Sequence, residues 1–94
     1  MLYQMLRRRS LELGYALAVH GSLARDLDLI AVPWTNDAVP DTELIEHLRS
    51  YTAAFISQSD KCPELKPHGR KAWSLHLIGT GTYIDISVMP KSDE

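Results

Sequence analysis

The chain has 94 residues and a mass of 10.6 kDa, the length of a single domain spanning 1–94. Hydrophobic residues at 45% and charged residues at 23% argue against a disordered chain, and a net charge of −2 argues against a nucleic-acid binder. No apolar run approaches the ~18 residues that a membrane span needs, and the lone Cys62 excludes an internal disulfide and fits a reducing cytoplasm.

Residues 2–13 are predicted to be helical, with Leu2, Met5, Leu6 and Leu13 on one stripe and Arg7, Arg8 and Glu12 toward water. Glu12 also interrupts the apolar stretch behind Arg7-Arg8-Arg9, and no cleavage site follows it, so no secretory leader is expected. Gly14 stands where a helix end favours a left-handed residue. Residues 15–20 suit a strand, with Tyr15, Leu17 and Val19 facing one way. A turn at 21–25 leads to a second strand over 26–32, which Pro33 should end. After a loop at 35–40, Asp41 or Thr42 can cap a second helix. Its buried face is expected to include Leu44, Ile45, Leu48, Thr52, Phe55 and Ile56, and residues 57–60 end it. Residues 61–71 are expected as a loop. Strands at 72–78 and 82–89 then flank Gly79-Thr80-Gly81 as a hairpin. Symmetric pairing about that turn sets Ile78 opposite Tyr83 and His76 opposite Asp85. The expected fold is α+β: a small mixed sheet of about four strands with two main helices packed on one face.

Asp26 and Asp28 lie two apart on a predicted strand, so their side chains leave the same face with Cα atoms roughly 6.5–7 Å apart. Carboxylates that close repel unless a cation sits between them or one takes up a proton. Mg²⁺ suits such a place, since it takes hard oxygen ligands and often only one or two carboxylates plus phosphate oxygens. The plainer alternative is a solvated strand face. Asp85 stands mid-strand among inward-facing Ile84, Ile86 and Val88, and shares its face with Tyr83, Ser87, His76 and Ser74. If its hairpin pairs beside the Asp26–Asp28 strand, three carboxylates converge. Otherwise Asp85 makes a simple cross-strand pair with His76. Gly21-Ser22 after an apolar strand can hold a phosphate through exposed N–H groups and a hydroxyl, or can be an ordinary turn.

Together these residues resemble the nucleotidyltransferase superfamily that includes DNA polymerase beta and the minimal nucleotidyltransferases. The resemblance rests on Val19-His20-Gly21-Ser22-Leu23-Ala24-Arg25, Asp26-Leu27-Asp28-Leu29 and Tyr83-Ile84-Asp85-Ile86. It implies that Asp26, Asp28 and Asp85 hold Mg²⁺, or Mn²⁺ in its place, and carry catalysis. It also implies that Gly21, Ser22 and Arg25 contact a nucleoside triphosphate. The chemistry implied is metal-assisted in-line displacement. Only Leu23-Ala24-Arg25 separates Gly21-Ser22 from Asp26, a shorter segment than the family usually carries. The run from His20 to Trp34 is also similar to small proteins encoded by bacteriophages and prophages.

Within the basic loop at 61–71, Lys66, Arg70 or Lys71 could reach a phosphate or an RNA backbone and His68 could bind substrate, although a solvated loop is the simpler reading. His20 could line the candidate site, and no His or Cys spacing fits zinc. Trp34 and Trp73 are expected to pack in the core or at an edge rather than to stack on bases. The expected function is therefore a cytoplasmic nucleotidyltransferase-like domain binding Mg²⁺ and nucleotide. The alternative is a non-catalytic phage or prophage accessory, or an antitoxin-like subunit with a protein partner. Neither a nucleic acid nor a membrane is an expected partner.

Overall fold

The computed structural model describes residues 2–19, 27–59, 62–79 and 83–90. Helix α1 spans Leu2–Glu12, and strands β1 (Tyr15–Val19) and β2 (Leu27–Pro33) follow. Helix α2 spans Asp41–Tyr51, then come β3 (Ile56–Ser59) and the two-residue β4 (Glu64–Leu65). A 3₁₀ turn at Pro67–Gly69 leads into β5 (Lys71–Leu77), and β6 (Tyr83–Val88) completes the fold.

The strands form one mixed sheet in the order β1-β2-β6-β5-β3. Strand β2 is antiparallel to β1 and parallel to β6, while β5 is antiparallel to both β6 and β3. Strand β4 also pairs with β5, at its Lys71-Ala72 end. Burial alternates along the strands. Tyr15, Leu17, Leu29, Ala31, Trp73, Leu75, Ile84, Ile86 and Val88 are buried on one face, in one cluster with Leu6 of α1 and Leu44, Ile45 and Leu48 of α2. Both helices therefore cover the same face, as the α+β reading requires. The opposite face, which carries Ala16, Ala18, Asp28, Val32 and Asp85, has no helix upon it among the described residues. No helix among the described residues is long and apolar enough to cross a membrane.

Gly14 closes α1 with φ +94, as the sequence suggests, and its lack of a side chain matters. A Cβ there would meet the Cα of Ala38 and Oγ1 of Thr35 at 2.6 Å. That approach lets the 35–40 loop lace onto the end of α1. Trp34 N–H donates to the Gly14 carbonyl at 2.9 Å, and Val39 N–H to that of Leu13 at 3.1 Å. Tyr15, buried beneath this loop, donates its hydroxyl to the Val39 carbonyl at 2.7 Å. Burial pushes its phenol above the usual value of 10.0, and the charge of Asp41 adds to the effect.

Several sequence expectations are corrected. Helix α2 starts after Pro40, with no side-chain cap; Asp41 and Thr42 are its first residues, and Asp41 and Glu43 sit in its first turn, toward the positive end of the helix dipole. It ends at Tyr51, earlier than the apolar spacing indicates. The Thr52 hydroxyl donates to the Leu48 carbonyl at 2.8 Å, and the chain turns there. Ile56 then opens β3, a strand beyond the four expected, and Phe55 is exposed, because the outer edge of β5 supplies a row of backbone partners for this segment. The 61–71 segment is likewise more than a loop: β4 forms within it and pairs with the start of β5. Trp73 is core, whereas Trp34, just past the end of β2, is 64% exposed and outside the core. The strand expected over 15–20 ends at Val19, which is exposed, and His20 lies outside the described residues.

Candidate functional site

Strand β2 alternates between core-facing Leu27, Leu29 and Ala31 and the open-face residues Asp28, Ile30 and Val32. Strand β6 does the same, with Ile84, Ile86 and Val88 inward and Tyr83, Asp85 and Ser87 outward. The parallel pairing aligns Asp28 with Asp85 as register partners. Two half-buried carboxylates thus project from the same face of neighbouring strands about 4.8 Å apart.

The register of the β5–β6 hairpin differs from the symmetric one by two residues. His76 lies opposite Tyr83, and Ser74 opposite Asp85. On the side of β3, the Ile78 N–H donates to the Phe55 carbonyl at 3.0 Å. The register results in a tilted ring pair between His76 and Tyr83, with centroids 5.5 Å apart, in place of a His76–Asp85 pair. Asp85 instead accepts a hydrogen bond at Oδ1 from the Ser74 hydroxyl at 2.5 Å. The Asp28 carboxylate has no hydrogen bond or ion pair among the described residues.

Asp28 and Asp85 line an open recess of about 200 Å³ together with Ser87, Glu64, Lys66 and Arg70. The basic residues arrive there on the β4–β5 hairpin. Glu64 pairs with Ala72 and Leu65 with Lys71. The Lys66 N–H then closes the loop on the Arg70 carbonyl at 2.9 Å. The reversal uses left-handed backbone at His68 (φ 66) and Gly69 (φ 76). Lys66 Nζ lies 3.4 Å from Glu64 Oε2, and Arg70 Nε donates to the Pro67 carbonyl at 3.4 Å. Lys71 is on the other face, 3.5 Å from Asp41 at the start of α2. Lys66 and Arg70 therefore belong to the recess, while Lys71 does not.

Of the residues singled out in the sequence, Asp28 and Asp85 are brought together. Asp26, Gly21, Ser22 and Arg25 lie outside the described residues. Among the described residues no three His, Cys, Asp or Glu side chains form a metal-ligand group. The Asp28–Asp85 pair nevertheless has the chemistry of a hard-cation site: two oxygen donors of like charge, one of them unpartnered within the described chain, in an open recess. Glu64 was not legible as part of this site. The signal for the hairpin that carries it is Pro67-His68-Gly69, a turn-forming sequence between two short runs. Comparisons with protein-family models, with curated proteins and with solved structures gave no match to the chain.

Proposed function

We propose that the protein binds a divalent cation and a nucleotide on the open face of its sheet, in the manner of a nucleotidyltransferase domain. The observation that carries this reading is the register of Asp28 against Asp85. Like charges placed directly opposite one another destabilise a sheet. A cation between them removes that repulsion and gains hard oxygen ligands. Asp28 and Asp85 are the assigned ligands, with Asp26 as the third carboxylate that the sequence resemblance implies. A bound Mg²⁺ supplies charge neutralisation for the entering and leaving oxygens of a displacement at phosphorus. The chain's own part is to hold the ion and to orient Asp85 through Ser74.

Heat unfolding of the protein tests this directly. Mg²⁺ or Mn²⁺ with a nucleoside triphosphate should raise the midpoint, because ligand bound only to the folded state stabilises it by about 2.7 kcal/mol at a hundred times its Kd. Asp28→Asn and Asp85→Asn should lose that rise. No rise at millimolar ligand, or an equal rise in both variants, would refute the reading.

A second reading has its own observation. Val32 on the open face is 41% exposed and the neighbouring Trp34 is 64% exposed, an apolar pair suited to a protein partner. A non-catalytic accessory subunit would use that end of the sheet. It would show a nucleotide-independent midpoint and a complex broken by Trp34→Ala.

A further inference from the structure

Resting on the proposed function, we infer that the β4–β5 hairpin is the phosphate-holding arm of the site, and that it takes the polyphosphate chain of a nucleoside di- or triphosphate only after a divalent cation has occupied Asp28 and Asp85. The argument begins with charge. The recess is lined by the three carboxylates of Asp28, Glu64 and Asp85 and by the two cations of Lys66 and Arg70, so it carries one net negative charge. A polyanion is repelled from such a place. One divalent cation reverses the sign to one net positive charge, and the hairpin then faces a neutralised floor.

The cations are placed to use that reversal. Arg70 has no carboxylate partner among the described residues, and its Nε is held by the Pro67 carbonyl at 3.4 Å. Its two terminal nitrogens suit a forked contact with phosphate oxygens. Lys66 has Glu64 as its neighbour at 3.4 Å, but Glu64 is 71% exposed, and an ion pair that open holds a lysine weakly. The arm is also ordered before any ligand arrives. Two register pairs and the Lys66–Arg70 backbone bond close it, and Gly69 packs near Pro90, whose Cγ would lie 3.3 Å from an added Cβ. Little ordering cost is therefore left to binding. The same reciprocity that makes the cation admit the phosphate makes the phosphate tighten the cation.

The test is calorimetric titration of the full chain with three probes: Mn²⁺ alone, inorganic tripolyphosphate with EDTA, and tripolyphosphate or a nucleoside triphosphate with Mg²⁺. Mn²⁺ alone should bind and should fail to bind Asp28→Asn. Tripolyphosphate should bind at least about tenfold more tightly with Mg²⁺ than with EDTA, the equivalent of ~1.4 kcal/mol. Arg70→Gln and Lys66→Ala should each weaken that binding about tenfold while leaving Mn²⁺ no weaker, as expected for loss of a charge-assisted contact. A nucleoside triphosphate that binds more tightly than tripolyphosphate supports a nucleotide as the ligand; equal affinity overturns that assignment. Mn²⁺ binding that needs Asp28, with anion binding indifferent to Arg70 and Lys66, overturns the hairpin's role and leaves the proposed function standing. Absence of Mn²⁺ binding removes the proposed function itself.

Discussion

Asp28 and Asp85 are register partners across the parallel β2–β6 pair, and both line the same recess on the face that the helices leave uncovered. Their closeness is a liability without a cation. Asp28→Asn should therefore stabilise the metal-free protein by about 0.2–1 kcal/mol, the scale of a like-charged cross-strand pair, while abolishing any stabilisation by Mg²⁺. Urea unfolding with EDTA and with Mg²⁺ reads both signs in one experiment.

Ser74 donates to Asp85 at 2.5 Å from the neighbouring strand. Ser74→Ala should cost about 1–2 kcal/mol in urea unfolding, since it removes a hydrogen bond to a charged group. It should also weaken Mn²⁺ binding, because the carboxylate loses the contact that orients it. A variant that loses stability but binds Mn²⁺ as before would show that Ser74 has no part in positioning.

Gly14 and Gly79 both have positive φ, at +94 and +74, but their surroundings differ. Alanine at Gly14 would overlap Ala38 Cα at 2.6 Å, whereas nothing lies within 4 Å of a Cβ at Gly79. Gly14→Ala should cost about 2–5 kcal/mol, combining left-handed strain with steric overlap. Gly79→Ala should cost only about 1 kcal/mol, the backbone contribution by itself. Chemical unfolding of the pair separates the two causes.

Tyr15 carries a pH dependence whose sign follows from its raised folded value. The unfolded chain gives up this phenolic proton near pH 10.0, and the folded chain does so only at higher pH. Its contribution to stability is thus complete below pH 10.0 and is lost as pH rises through the folded value. Tyr15→Phe should cost about 1 kcal/mol at neutral pH, through the hydrogen bond to Val39, and should flatten the alkaline fall in heat midpoint. An unchanged alkaline slope would assign that fall to other groups.

Much of the fold is written in local pattern. The apolar spacing of α1 and the first part of α2, the glycine at the end of α1 and the alternation of β2 and β6 are periodicities that a neighbour cannot disguise. Asp28 and Asp85 stood out for the same reason, as carboxylates on the outward phase of strands whose inward phase is apolar. The apolar spacing that carried α2 through Phe55 and Ile56 failed because the edge of β5 offers backbone partners that no local pattern encodes. Symmetry about Gly79-Thr80-Gly81 misses the β5–β6 register, because register follows turn type and loop length, which the turn residues alone do not specify.

Residue type and phase were settled along the chain: which side chains face the core, and which carboxylates break an apolar strand. Which strands become neighbours was decided in three dimensions. The parallel β2–β6 pairing joins residues 57 positions apart in the sequence, Asp28 and Asp85, and the turn of the β4–β5 hairpin carries Lys66 and Arg70 to them. Such contacts depend on loop closure and on the burial of one shared face, which act between distant segments and leave no mark on either segment read in isolation.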